Sequence, residues 1–190
     1  MDANIIIILV IVGVILIWTI MVYNNLVTIK HAVSKAWSNI DVLLKQRHDE
    51  LPKLVETCKQ YKQFEQDTLQ RVTEARSRVQ DARLKQDIPA LGQAESMLRG
   101  GLGNIFATFE AYPELKAVET FQHLLARVTG LENGIADRRE FYNESVNINN
   151  VRIEQFPDII VARLFNFRPF DLLEFEKEQI QDVDMKEMFA

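Results

Sequence analysis

Cysteine is nearly absent. A single Cys58 cannot close an intrachain disulfide, so nothing in the sequence requires an oxidising compartment. Histidine is almost as sparse, with His31, His48 and His123 far apart. A zinc site built on one helix needs two histidines a turn apart, and His48-Asp49-Glu50 lacks the second, so neither a metal nor another cofactor is expected. Basic residues do not dominate: 22 Lys and Arg stand against 27 Asp and Glu, for a net charge of -5. Nucleic-acid binding needs a basic footprint, so nucleic acid is excluded as a partner. With seven glycines and five prolines in 190 residues, breakers are scarce, which suits long helices. There is no low-complexity tract, no block of five like charges and no sustained period-two alternation, so no sheet is expected.

The most informative absence is charge near the N-terminus. None occurs between Asp2 and Lys30. Inside that window lies Ile5-Ile6-Ile7-Ile8-Leu9-Val10-Ile11-Val12-Gly13-Val14-Ile15-Leu16-Ile17-Trp18-Thr19-Ile20-Met21-Val22. A run of about 20 apolar residues crosses the hydrocarbon core of a bilayer as one helix. A cleaved signal peptide is the competing reading. It wants a positive n-region, a shorter run and a small-residue cleavage site, and none of these is present. A retained anchor is therefore expected. Trp18 and Tyr23 stand where interfacial aromatics would, although ordinary helix packing accounts for them equally well. Lys30 and Lys35 follow the run and no cation precedes it, which places the N-terminus outside and the body in the cytoplasm.

The rest of the chain reads as helices. Leu26, Ile29, Val33, Trp37, Ile40, Leu44, Leu51, Leu54, Cys58 and Tyr61 fall three and four apart, with Arg47 in the one polar slot. That stripe predicts a helix over 24–62, kinked near His48 to Pro52. Leu69, Val72, Ala75, Val79 and Ala82 predict a second over 65–84, with one unbroken helix through 61–65 as the alternative. Asp87 and Pro89 read as the capped start of a third, which Pro113 ends. A fourth runs from Pro113 to about 151 on Leu115, Val118, Phe121, Leu125, Val128, Ile135, Tyr142 and Val146. The fourth helix is long enough to return beside the bilayer, placing residues 153–170 at its surface.

Candidates for chemistry are few. Cys58 lies on the packing stripe and reads as a small buried hydrophobe rather than a nucleophile. Arg99-Gly100-Gly101-Leu102-Gly103 lacks a phosphate-loop pattern and reads as a place of close helix approach. Asn143-Glu144-Ser145 is a glycosylation sequon in form only. A polar cluster on the fourth helix, Arg138, Tyr142 and Asn143, could face Asn39 and Asp41 on the first. A register-fixing network and a ligand or partner site are both open readings. Residues 153–170 are rich in Phe and Ile. Phe156, Ile160, Arg163, Leu164, Phe165, Phe167 and Arg168 could engage lipid, pack as a lid on the bundle, or form an oligomer contact.

In chain order, Tyr23-Asn24-Asn25-Leu26-Val27, Ala36-Trp37-Ser38-Asn39-Ile40-Asp41-Val42, Leu51-Pro52-Lys53-Leu54-Val55-Glu56-Thr57, Thr73-Glu74-Ala75-Arg76, Glu110-Ala111-Tyr112-Pro113-Glu114-Leu115-Lys116-Ala117, Arg139-Glu140-Phe141-Tyr142-Asn143, Phe156-Pro157 and Phe165-Asn166-Phe167 are similar to a known pattern. The chain resembles the LemA family of bacterial membrane proteins over nearly its whole length. It departs at Asn166, where the family typically has Gly, and at Ile148, where it has Tyr. The resemblance implies a four-helix bundle behind one anchor in the bacterial inner membrane, a link of some members to membrane metalloproteases or envelope stress, and no established activity. The expected fold class is thus all-α: a single transmembrane helix (1–23), an antiparallel four-helix bundle (24–152), a short amphipathic aromatic segment near the membrane (153–170) and an acidic tail (171–190). The expected function is a non-catalytic membrane-anchored scaffold or adaptor that self-associates or binds a membrane protein such as a protease. The alternatives are a lipid-binding or remodelling protein at the membrane surface, with membrane lipid as its partner, and more remotely an enzyme.

Overall fold

A computed structural model describes residues 3–175; most of the expected acidic tail lies outside the described residues. Six helices and no strand occur among the described residues: α1 (Ala3–Cys58), α2 (Gln66–Lys85), α3 (Ile88–Ala111), α4 (Pro113–Lys116), α5 (Glu119–Glu154) and α6 (Asp158–Leu164). The apolar run and the first amphipathic stripe are one uninterrupted helix, which passes through Pro52. Its buried positions include Leu26, Val33, Ala36, Ile40, Leu44, Arg47, Leu51, Leu54 and Cys58, which follow the three-and-four spacing of a single helix face. Ahead of them, Ile5 to Ile17 are about half exposed, apart from the more covered Gly13. This is one helix long and apolar enough to cross a membrane.

The chain forms two compact units. The first holds, among the described residues, 3–50 and 124–173. In it α1 and α5 run antiparallel, as successive contacts show: Glu50 with Arg127, Arg47 with Glu132, Leu43 near Gly134, Trp37 with Tyr142, and Leu26 clustered with Ile153. The helix α6 and an extended strap, residues 167–173, complete this unit.

The second unit comprises, among the described residues, 51–123 and 174–175. The helices α2 and α3 form its hairpin. Gln86 takes the left-handed conformation (φ 53°), Asp87 N–H donates to the Ala82 carbonyl, and the Asp87 carboxylate accepts from Ala90 N–H at 3.0 Å, so two residues close one helix and open the next. A Cβ on Gly101 would come within 2.7 Å of Val72 Cγ2; this glycine lets α3 approach α2. Phe121 is fully buried, with the rings of Phe64, Phe109 and Tyr61 at 5.5, 5.2 and 6.2 Å.

Two boundaries correct the sequence reading, and the separate second helix agrees with it. The first helix ends at Cys58, not 62, because the turn over 59–64 brings Tyr61 and Phe64 onto Phe121. The separate second helix follows from the same turn. The expected fourth helix is two, α4 and α5, broken at Ala117–Val118. Leu115 and Phe121 are both fully buried, yet six residues along one helix would set them about 120° apart. The break turns both inward.

Candidate functional site

One end of the first unit is built where the apolar run ends. Val22 and Leu26 of α1, Ile153 of α5, and Val161 and Ala162 of α6 form one buried cluster, with Trp18 and Phe167 packed against it. The Tyr23 ring meets Phe165 at 4.7 Å and Phe167 at 5.9 Å. An ion pair between Arg152 and the buried Asp158 fixes the corner between α5 and α6. The outward face of α6 is different. Phe156, Ile160 and Leu164, four residues apart, are 82%, 55% and 72% exposed, and Arg163 and Arg168 are exposed beside them. Residues 153–170 therefore pack inward through one face and leave the other apolar and bare.

The strap follows α6 through a left-handed Asn166 (φ 56°); Asn166 N–H donates to the Arg163 carbonyl and Phe167 N–H to that of Ala162. It then runs along α5, held by side chains that bond its backbone. The Asn150 amide donates to the Phe170 carbonyl and accepts from Phe170 N–H, both at 2.9 Å. Asn143 repeats this on Leu173, at 3.1 and 2.8 Å. Asn149 donates to the Arg168 carbonyl and the Tyr142 hydroxyl to that of Asp171. The two clamps fit because seven residues of helix rise about 10.5 Å while three residues of extended chain span about 10 Å. Burial pushes the Tyr142 hydroxyl up to about 12, helped by the Asp171 carboxylate.

Two members of the expected polar network, Tyr142 and Asn143, bond the strap, whereas Asn39 and Arg138 are exposed and Asp41 is half-buried on α1. The buried polar contact between α1 and α5 lies elsewhere. Arg47, 1% exposed, pairs with Glu132 at 2.6 Å, and Glu50 with Arg127 at 2.6 Å, so the charges alternate in sign on both helices. Arg47 was visible as the polar slot of the stripe; Glu132 carried no signal of its own.

In the second unit, burial pushes the Cys58 thiol up to about 12, far from the thiolate that nucleophilic chemistry needs. No group of three or more His, Cys, Asp or Glu able to hold a metal occurs among the described residues.

The family model for the LemA family matches residues 36–186. The chain belongs to the LemA family. Protein LemA of Metamycoplasma hominis is 27% identical over 168 residues, covering 87% of this chain and 74% of that protein. Magnetosome protein MamQ 2 of Paramagnetospirillum magneticum is 24% identical over 172 residues, covering 78% of this chain and 63% of the relative. The chain thus spans less than two thirds of that relative's length. Magnetosome protein MamQ of Magnetospirillum gryphiswaldense matches at 30% over 79 residues, covering 42% of this chain and 29% of that protein. Seen against the LemA pattern, Asn166 departs from glycine at a left-handed position, and asparagine is the residue besides glycine that tolerates it. Ile148 is 49% exposed on α5, so the exchange for Tyr falls on an outer face.

Proposed function

We propose that this LemA-family chain is a membrane-anchored, non-catalytic helical scaffold that binds copies of itself or a membrane protein partner. One observation carries the reading. The inner face of α5 is buried at Tyr142, Val146, Asn149 and Ile153, yet Phe141, Ile148 and Val151, on an outer face interrupted by Glu144, are 50%, 49% and 43% exposed. An apolar helix face left in water is a docking surface in want of a second helix. The missing cations before the apolar run, against Lys30 and Lys35 after it, favour a cytoplasmic body on the bacterial inner membrane. A photo-crosslinking residue at position 148, in membranes, tests the scaffold. It is expected to give a discrete adduct, while the same residue in place of the exposed Asn133 gives none. No adduct at 148 overturns the proposal.

A second reading rests on the outward face of α6. The Phe156, Ile160 and Leu164 row is set against the end of the apolar run, where it would lie in the headgroup boundary. A spin label at position 160 would then be shielded from an aqueous nickel reagent and open to oxygen. Equal nickel access at 160 and 133 would sink this reading.

A further inference from the structure

Between α1 and the start of the strap lies a groove of about 500 Å³, contained within the first unit. Its walls include Tyr23, Lys30 and His31 of α1, and Phe165, Arg168 and Phe170. No carboxylate lines it among the described residues. Two cations therefore share one cleft, and aromatic rings line it with them. The strap's backbone is pinned by Asn149 and Asn150, so Arg168 is carried on a fixed segment.

The groove's height along α1 says what could fill it. Residues 5–22 rise about 27 Å, close to the roughly 30 Å hydrocarbon core. Tyr23 follows immediately, so the aromatic end of the groove begins where hydrocarbon ends. Lys30 lies about 10 Å further, just beyond a headgroup layer of roughly 6 Å. Its four-carbon stem can lean back into that layer. A phosphate diester sits at this depth, and an anionic headgroup supplies the opposite charge. A phosphatidylcholine headgroup would bring its own cation into a cleft that already holds two.

We propose that this groove binds one anionic phospholipid, with its phosphate between Lys30 and Arg168, a donor available at His31, and its glycerol end against Tyr23 and Phe165. The proposal rests on the apolar run crossing the bilayer.

The test uses the full chain with Trp37→Phe, which leaves Trp18 as the one tryptophan. Vesicles contain chain-brominated phosphatidylglycerol or chain-brominated phosphatidylcholine at equal mole fraction, and Trp18 quenching is read. Two cations near the surface, at about 1 kcal/mol each, predict about a 30-fold preference for the phosphatidylglycerol quencher. Lys30→Gln with Arg168→Gln should bring it to parity, with phosphatidylcholine quenching and helicity unchanged. Equal quenching by both lipids before these changes overturns the proposal. So does a preference lost equally on Lys35→Gln with Arg163→Gln, which lie outside the groove and would report a diffuse field. Absence of quenching by either lipid would refute the span itself, and the groove proposal with it.

Discussion

Replacing Asn143 with alanine is the sharpest test of how the strap is held. The side chain makes two bonds to the Leu173 backbone, and Leu173 is fully buried. Each bond contributes about 1 kcal/mol net, and the buried N–H and C=O left behind cannot recover their partners from water, so the loss should reach about 2 to 4 kcal/mol. Asn150→Ala removes the same pair from Phe170, which is only half-buried, and should cost about 1 to 2 kcal/mol because water can step in. The strap is a local element, so amide exchange at Leu173 is the direct assay, alongside urea unfolding in mild detergent. A loss of about 2 kcal/mol lowers protection about 30-fold. Asn143→Asp adds a signed check. Its carboxylate could accept from Leu173 N–H but would face the Leu173 carbonyl, which raises its folded pKa above the unfolded one. The variant should approach the parent's stability at acid pH, where the protonated acid can donate, and lose it as pH rises through the folded pKa. Unchanged Leu173 protection in Asn143→Ala, or a pH-independent Asn143→Asp, would refute the clamp.

Three further outcomes follow from other parts of the molecule. Arg47→Met should destabilise by about 3 kcal/mol by stranding Glu132, and Arg47→Met with Glu132→Leu should recover most of it in denaturant unfolding. Gly92→Ala should cost about 1 to 3 kcal/mol, because its Cβ would lie 2.0 Å from the Glu174 carbonyl oxygen; Gly103→Ala, with open space around it, should gain about 0.5 to 1 kcal/mol, and thermal melts of the pair decide it. Cys58 and Tyr142 both titrate near 12 when folded, against 9.0 and 10.0 otherwise. The unfolded chain releases these protons first, so stability should hold below about pH 8 and then fall toward about pH 12 by up to about 1.4 kcal/mol per unit for each group, with Cys58→Ala removing the earlier-onset part.

The sequence by itself determined the elements with strong local signals. An uncharged run of bilayer length, a stripe of alternating three and four, and an Asp87–Pro89 start each specify a helix through nearest neighbours on one face or one turn. The polar slot at Arg47 was equally plain, because a charged residue among leucines must find a partner. Which partner was not, since several acidic residues of α5 lie at similar heights. The break at Ala117–Val118 was hidden because the residues around it all fit a helical stripe; only the shared demand of Leu115 and Phe121 for the core forces the turn.

The functional surfaces divide in the same way. Composition marked 153–170 as apolar and aromatic, but not which face turns inward; the position of Val161 and Ala162 against Val22 and Leu26 left Phe156, Ile160 and Leu164 bare. The strap was invisible for a deeper reason. Asn143 and Asn150 bind peptide groups, which every residue carries, so residues 168–173 show no complementary side-chain pattern. Only the tertiary structure, by laying an extended chain along two turns of helix, matched the two spacings and brought Arg168 and Lys30 to one groove.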